Sequence, residues 1–420
     1  MYERSVLPNG LRILTSSMPH TRSVSIGIFV GAGSRYEDEA NAGASHYLEH
    51  ILFKGTERRP EPQMISSAIE SVGGILNAST DREATIFYTK VAQDHFALGL
   101  DVLTDMVLNP LFNADEMERE RGVIIEELAM TYDQPDAFAD LLIDEALWPE
   151  QAMGRDIGGT KESVSAISRQ ALQEYHARQY VPGNVVVSVA GNVTHDEVVT
   201  LLDEHMGAWK VGTPIEWQAV RPAAAGNRVS LGTRKTDQAH LCLAMDGVSS
   251  VAGDRYAVDL MNTVMGEGMS SRLFMEVRER RGLAYEVHSS SMHYRDCGAL
   301  VVYCGVDTAK VDETVGAVLG EFAKLRDDVP EEELHKATEF AVGRLGLRLE
   351  DSRAVMGWLG GHELLRGFIT TLDQVVEDLR AVTPEQVRQA ANMYLGNGGY
   401  RFAIVGPYRS EARFRKLLAV

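Results

Sequence analysis

The sequence predicts an α+β fold of two homologous domains, each a mostly antiparallel sheet packed with helices. Three observations carry this reading. A chain of 420 residues is too long for one ordinary core. Each half mixes short buried-strand stretches with amphipathic helical ones. Most telling, the segment from Ala166 through Val185-Val-Val-Ser-Val-Ala-Gly191 aligns without a gap on the segment from Ala381 through Phe402-Ala-Ile-Val-Gly406. The offset, 383 − 168 = 215 between the capping residues Ser168 and Thr383, is close to half the chain, as an internal duplication requires.

The elements follow in order. Pro8-Asn9-Gly10 marks a turn inside an N-terminal hairpin, Leu7 to Leu14. Ser23-Val-Ser-Ile-Gly-Ile-Phe-Val30 and, in the second half, His240-Leu-Cys-Leu-Ala-Met245 read as buried strands before long helices. The stretch Asp115 to Met130 is helical in pattern, with Val123, Ile124 and Leu128 as its apolar stripe, and a matching helix begins near Glu331. In the repeated unit a cap residue opens an amphipathic helix, which leads through a Gly-bearing turn into an apolar strand ended by Gly. Pro, Gly and small residues from Gly212 to Gly226 lack periodicity. The expected division is therefore a domain over 1–212, a linker over 213–227 and a second domain over 228–420.

Composition excludes several function classes. With 41 basic and 60 acidic residues the net charge is −19, which opposes nucleic-acid binding. There is no run of 18 apolar residues, so no membrane span is expected, and the N-terminus lacks the basic and apolar regions of a leader. Three cysteines, Cys242, Cys297 and Cys304, are too few and too clustered for a disulfide framework. A reducing cytoplasm is the expected setting.

The chemistry concentrates at His46-Tyr-Leu-Glu49-His50. On a helix, residues three and four apart are neighbours, so both imidazoles and the carboxylate share one face. Two neutral imidazoles at this spacing can bind one Zn²⁺, and Glu49 can take a proton from water that the metal polarises. A catalytic zinc takes a third protein ligand. The helix around Ile124 offers Glu120 and Glu127, seven residues apart and so on one face, beside an apolar stripe where an unpaired carboxylate is unfavourable. Glu126 points elsewhere on that helix. Gly266-Glu-Gly268 lacks the further Gly and the Lys-Ser/Thr pair of a phosphate loop, and reads as a flexible turn.

The His-x-x-Glu-His order is that of the inverzincins. Together with Asn77-Ala-Ser-Thr80, Glu118-Arg-Glu120-Arg-Gly-Val-Ile-Ile-Glu126-Glu127 and Ser271-Arg-Leu-Phe-Met-Glu-Val-Arg278-Glu-Arg-Arg-Gly-Leu-Ala-Tyr285, it makes the whole chain resemble the pitrilysin and insulinase peptidases. The likeness is to the small-subunit branch that includes mitochondrial processing peptidase and bacterial relatives. The resemblance implies that His46, His50 and Glu127 hold one zinc per chain, with Glu49 as general base. It implies that Glu120 orients a ligand, that Asn77 and Ala78 lie on a strand that receives an extended peptide, and that Arg278 and Tyr285 contact substrate and the tetrahedral intermediate. It also implies peptides or unfolded segments as substrates inside a clamshell chamber.

Two other readings compete. A noncatalytic relative, a structural or partner subunit, is favoured by loss of any of His46, Glu49, His50 or Glu127, and all four are present. A zinc-storage or zinc-stabilised module requires a closed four-ligand site, and no further Cys or His near these motifs supplies it. By the same resemblance, whose heterodimeric members divide the metal residues and the Arg–Tyr pair between two chains, the presence of both sets in one chain implies a homodimer.

Overall fold

The computed structural model describes residues 2–222, 226, 228–396 and 399–418. Eleven strands form two sheets among these residues: β1 (Glu3–Val6), β2 (Arg12–Ser17), β3 (Ser23–Val30), β4 (Ile75–Thr80), β5 (Thr85–Ala92) and β6 (Val185–Gly191), then β7 (Arg228–Thr233), β8 (Gln238–Asp246), β9 (Ala284–His293), β10 (Gly298–Asp307) and β11 (Arg401–Gly406). The first sheet has the order β1-β2-β6-β3-β5-β4 and the second β7-β11-β8-β10-β9. In each, one pair is parallel (β2 with β6, β7 with β11) and the other pairs are antiparallel.

Apart from the extra edge strand β1, the two sheets repeat each other. Val186 pairs with Phe29 in the first sheet and Arg401 with Ala244 in the second, and 401 − 186 and 244 − 29 both equal 215. The helices before β6 and β11, Arg169–Gln179 and Pro384–Tyr394, stand at the same offset. Their caps act alike: the Ser168 hydroxyl accepts from the Ala171 N–H and the Thr383 hydroxyl from the Gln386 N–H.

The N-terminal hairpin is centred where expected, with a turn over 7–11 in which Gly10 takes φ 92° and its N–H reaches the Leu7 carbonyl. Its strands run further out than Leu7 to Leu14, from Glu3 to Ser17.

The chain forms two compact units that are not contiguous halves. One contains Met1–Leu128, Asp156–Gln218 and Leu347–Ile369; the other contains Ala129–Arg155, Ala219–Gly346 and Thr370–Val420. The boundary at Gln218 falls within the expected 213–227 linker, of which 223–225 and 227 lie outside the described residues. The departure from a simple division is an exchange of helices. Pro135–Leu147, from the first half, packs on β8 and β11, whereas Ser352–Arg366, from the second half, packs on β3 and β6. Glycines make the approach possible: a Cβ on Gly360 would stand 2.2 Å from the Phe29 ring and one on Gly232 would stand 2.7 Å from Phe138.

Candidate metal centre

The helix Ala44–Leu52 carries the two histidines, and its start is fixed on both flanks. Gly43 takes φ 91°, and a Cβ there would meet the Gly158 carbonyl at 2.4 Å. The buried carboxylate of Glu37 accepts from the N–H groups of Gly43 (2.8 Å) and Ser45 (2.6 Å), which satisfies amides that a helix start leaves open. Tyr47 and Leu48 point into the core, and the Tyr47 hydroxyl donates to the Met117 carbonyl at 2.6 Å. That bond ties this helix to Ala114–Asp133, which supplies the third ligand candidate.

Ala114–Asp133 opens on the Asn113 side chain, which accepts from the N–H groups of Asp115 and Glu116. It buries Met117, Glu120, Ile124 and Leu128, a spacing of three and four that defines one face. The expectation of Val123 in the apolar stripe is corrected: it is 42% exposed, because it lies one residue, about 100° of helical rotation, away from Ile124.

His46, His50 and Glu127 converge, each offering a donor atom within 4.8 Å of the others. Glu127 Oε2 lies 3.5 Å from His50 Nε2 and 3.9 Å from His46 Nε2, and the two rings meet edge to face with centroids 4.7 Å apart. A tetrahedral ion with bonds of about 2.0–2.2 Å holds its donors about 3.3–3.6 Å apart, close to the two distances from Glu127, so the cluster can close on a zinc ion by side-chain adjustment within the 4.8 Å that bounds it. Burial, reinforced by His50, pushes the His46 imidazole down to about 4, which leaves it neutral at pH 7 as a ligand must be. Glu126 is outside the cluster and exposed.

Behind His50, Glu120 is 7% exposed. Its Oε2 accepts from His50 Nδ1 at 3.0 Å while Oε1 takes Lys54 Nζ at 2.7 Å. With a carboxylate at Nδ1 the proton sits there, and Nε2 turns its lone pair toward Glu127. Glu49 projects from the same helix; burial raises its pKa, opposed by the Thr80 hydroxyl and by His50. The Thr80 Oγ1 donates to Glu49 Oε2 at 2.6 Å.

Thr80 ends β4, the edge strand that also carries Asn77 and Ala78. There the Asn77 Oδ1 accepts from the Ala78 N–H at 2.8 Å. In the second unit, Arg278 and Tyr285 lie together, with the guanidinium 5.1 Å from the Tyr285 ring centroid and 4.7 Å from that of Phe274. The turn between them is held by Glu276, whose carboxylate accepts from Arg280 and Arg281, and Tyr285 is left 77% exposed. Of Gly266-Glu-Gly268, expected as a flexible turn, Gly266 is instead the buried last residue of the helix Arg255–Gly266, where a Cβ would meet Ser289 at 2.3 Å, and Gly268 follows it with φ 81°.

Sequence reasoning missed Lys54, Glu37 and Thr80. Lys54 follows His46 and His50 at a further interval of four, so helical spacing could have found it. Glu37 and Thr80 come from other elements, and no local spacing marks them.

A two-unit α+β chain with a His-His-Glu cluster over a buried carboxylate has the build of a zinc metallopeptidase. Family profiles agree: Insulinase (Peptidase family M16) matches residues 12–161, and Peptidase M16 inactive domain matches residues 166–339. The chain belongs to the insulinase family, peptidase family M16. Among its relatives are uncharacterized zinc proteases of Mycobacterium leprae (39% identical; 99% of this chain and 94% of that one) and Bacillus subtilis (34%; 97% and 98%). A protease from Helicobacter pylori shares the fold with a TM-score of 0.89 at 20% identity, over 97% of this chain and 99% of that one. So does a peptidase M16 inactive domain from Pseudomonas fluorescens, with a TM-score of 0.90 at 21% identity, over 98% of each. The inactive-domain match, residues 166–339, contains no His-x-x-Glu-His.

Proposed function

We propose that this chain is a zinc-dependent endopeptidase of peptides and unfolded segments, and the observation that carries the reading is the convergence of His46, His50 and Glu127 beside the half-buried Glu49. One zinc per chain, held by those three residues, would polarise a peptide carbonyl and acidify water. Glu49 acts as general base, accepting the proton of the attacking water at its carboxylate and passing it to the leaving amine. Glu120, paired with Lys54, keeps His50 in its ligand tautomer.

Substrate joins the free edge of β4 as an added strand along Asn77 and Ala78, where backbone bonds tolerate many sequences. Arg278 and Tyr285 donate to the peptide carbonyl or developing oxyanion. The chain works as a homodimer, in which the Arg278–Tyr285 pair of one copy serves the metal centre of the other. No helix among the described residues is long and apolar enough to cross a membrane.

The test is elemental analysis for zinc together with cleavage of a quenched peptide library. Glu49→Gln should keep about one zinc per chain and lose most turnover, since an amide cannot accept the proton. Full zinc occupancy in the wild type without any cleavage would instead favour a noncatalytic partner subunit.

A further inference from the structure

We propose that Thr80 is a positioning residue for the general base, and that it couples the β4 edge, where peptide docks, to the orientation of Glu49. This deepens the peptidase reading and rests on it.

Thr80 is the last residue of β4 and lies opposite Thr85 in the ladder with β5. Its hydroxyl has one proton and two acceptors within reach: Glu49 Oε2 at 2.6 Å and Thr85 Oγ1 at 3.3 Å. Thr85 spends its own proton on the Ala32 carbonyl, at 3.1 Å, and so can offer none to Thr80. The short bond to the carboxylate therefore takes the Thr80 proton, as charge-assisted hydrogen bonds are the stronger class. The Thr80 hydroxyl thus ties the end of the strand to one carboxylate oxygen of the helix Ala44–Leu52.

Placement gives this contact its consequence. Ala78 and Asn77 lie two and three residues upstream on the same strand, which among the described residues has a strand neighbour on one side only. A peptide added to the free edge fixes the backbone of β4, and with it the hydroxyl that Thr80 aims at Glu49. The base is then best aligned when the edge is filled. The interaction belongs to the chemical step more than to docking, so it should appear in kcat.

Thr80→Val preserves shape and removes the hydroxyl; Thr80→Ser restores it. The expected result is a fall in kcat of about tenfold or more for Thr80→Val, the size associated with one hydrogen bond to a charged group, with KM and zinc content near wild type. Thr80→Ser should recover most of that loss. A second measurement uses metal-stripped protein without turnover. In a double-mutant cycle with Glu49→Leu, the shift in urea midpoint caused by Thr80→Val should be larger with Glu49 present than without it. Wild-type kcat in Thr80→Val, equal losses in the Val and Ser variants, or additivity in the cycle each overturn the proposal. A wild type that cleaves nothing defeats the peptidase reading instead, and the metal-free cycle still decides the contact.

Discussion

Replacing Glu120 by Gln isolates the support behind a proposed metal ligand, His50, without touching any of the three candidate ligands. The carboxylate is nearly sealed from solvent and accepts twice, from His50 Nδ1 at 3.0 Å and from Lys54 Nζ at 2.7 Å. An amide of the same shape has one acceptor and one donor end. If its oxygen faces His50, its NH₂ opposes the ammonium of Lys54; if its oxygen faces Lys54, its NH₂ opposes His50 Nδ1. In the second arrangement the imidazole is driven to the other tautomer, with a proton on the nitrogen that faces Glu127. Loss of such an outer partner weakens metal binding by about 10–100-fold, or about 1.4–2.7 kcal/mol. The assay is competition for zinc against a chromophoric chelator, with Glu126→Gln, an exposed change on the same helix, as control. The control should match wild type. An affinity for Glu120→Gln within twofold of the control would refute this account of how His50 is held.

Two further outcomes are expected. If the site is completed in trans, mixing Glu49→Gln with Tyr285→Phe protein should restore up to about a quarter of wild-type activity under random exchange, and verified exchange with no recovery refutes sharing. Gly360→Ala places a methyl group 2.2 Å from the Phe29 ring and should lower unfolding stability by about 1–3 kcal/mol, whereas Gly361→Ala, with open space at its Cβ, should be neutral or stabilising; equal urea midpoints for the two would refute the packing argument.

Much of this molecule was legible in the chain. The offset of 215 between Ser168 and Thr383 fixes paired helices of identical length and registers of matching strands, because each repeat is written in a local cap and a short, largely apolar strand that is buried throughout. The metal cluster was legible because i, i+4 spacing on one helix brings His46 and His50 together without any tertiary knowledge. Glu127 needed a partner helix, and Glu120 was placed by its seven-residue spacing. Thr80 was not legible, since its link to Glu49 depends on where a strand end meets a helix 31 residues away in sequence. The helix exchange was equally silent. The amphipathic pattern of Ser352–Arg366 says that it has an apolar face, but nothing in that pattern names the sheet that receives it.

That exchange bears on how the chain can be divided. A cut in the 213–227 segment would look natural on the sequence, but it would leave the N-terminal fragment without the helix that covers β3 and β6. The C-terminal fragment would lack the helix that covers β8 and β11. Each fragment would present an apolar sheet surface to water and would need the other to close it. The repeat has therefore not produced two separable modules: the half that carries His-x-x-Glu-His and the half that lacks it each complete the other's sheet, so expressing both fragments together should be what restores either one.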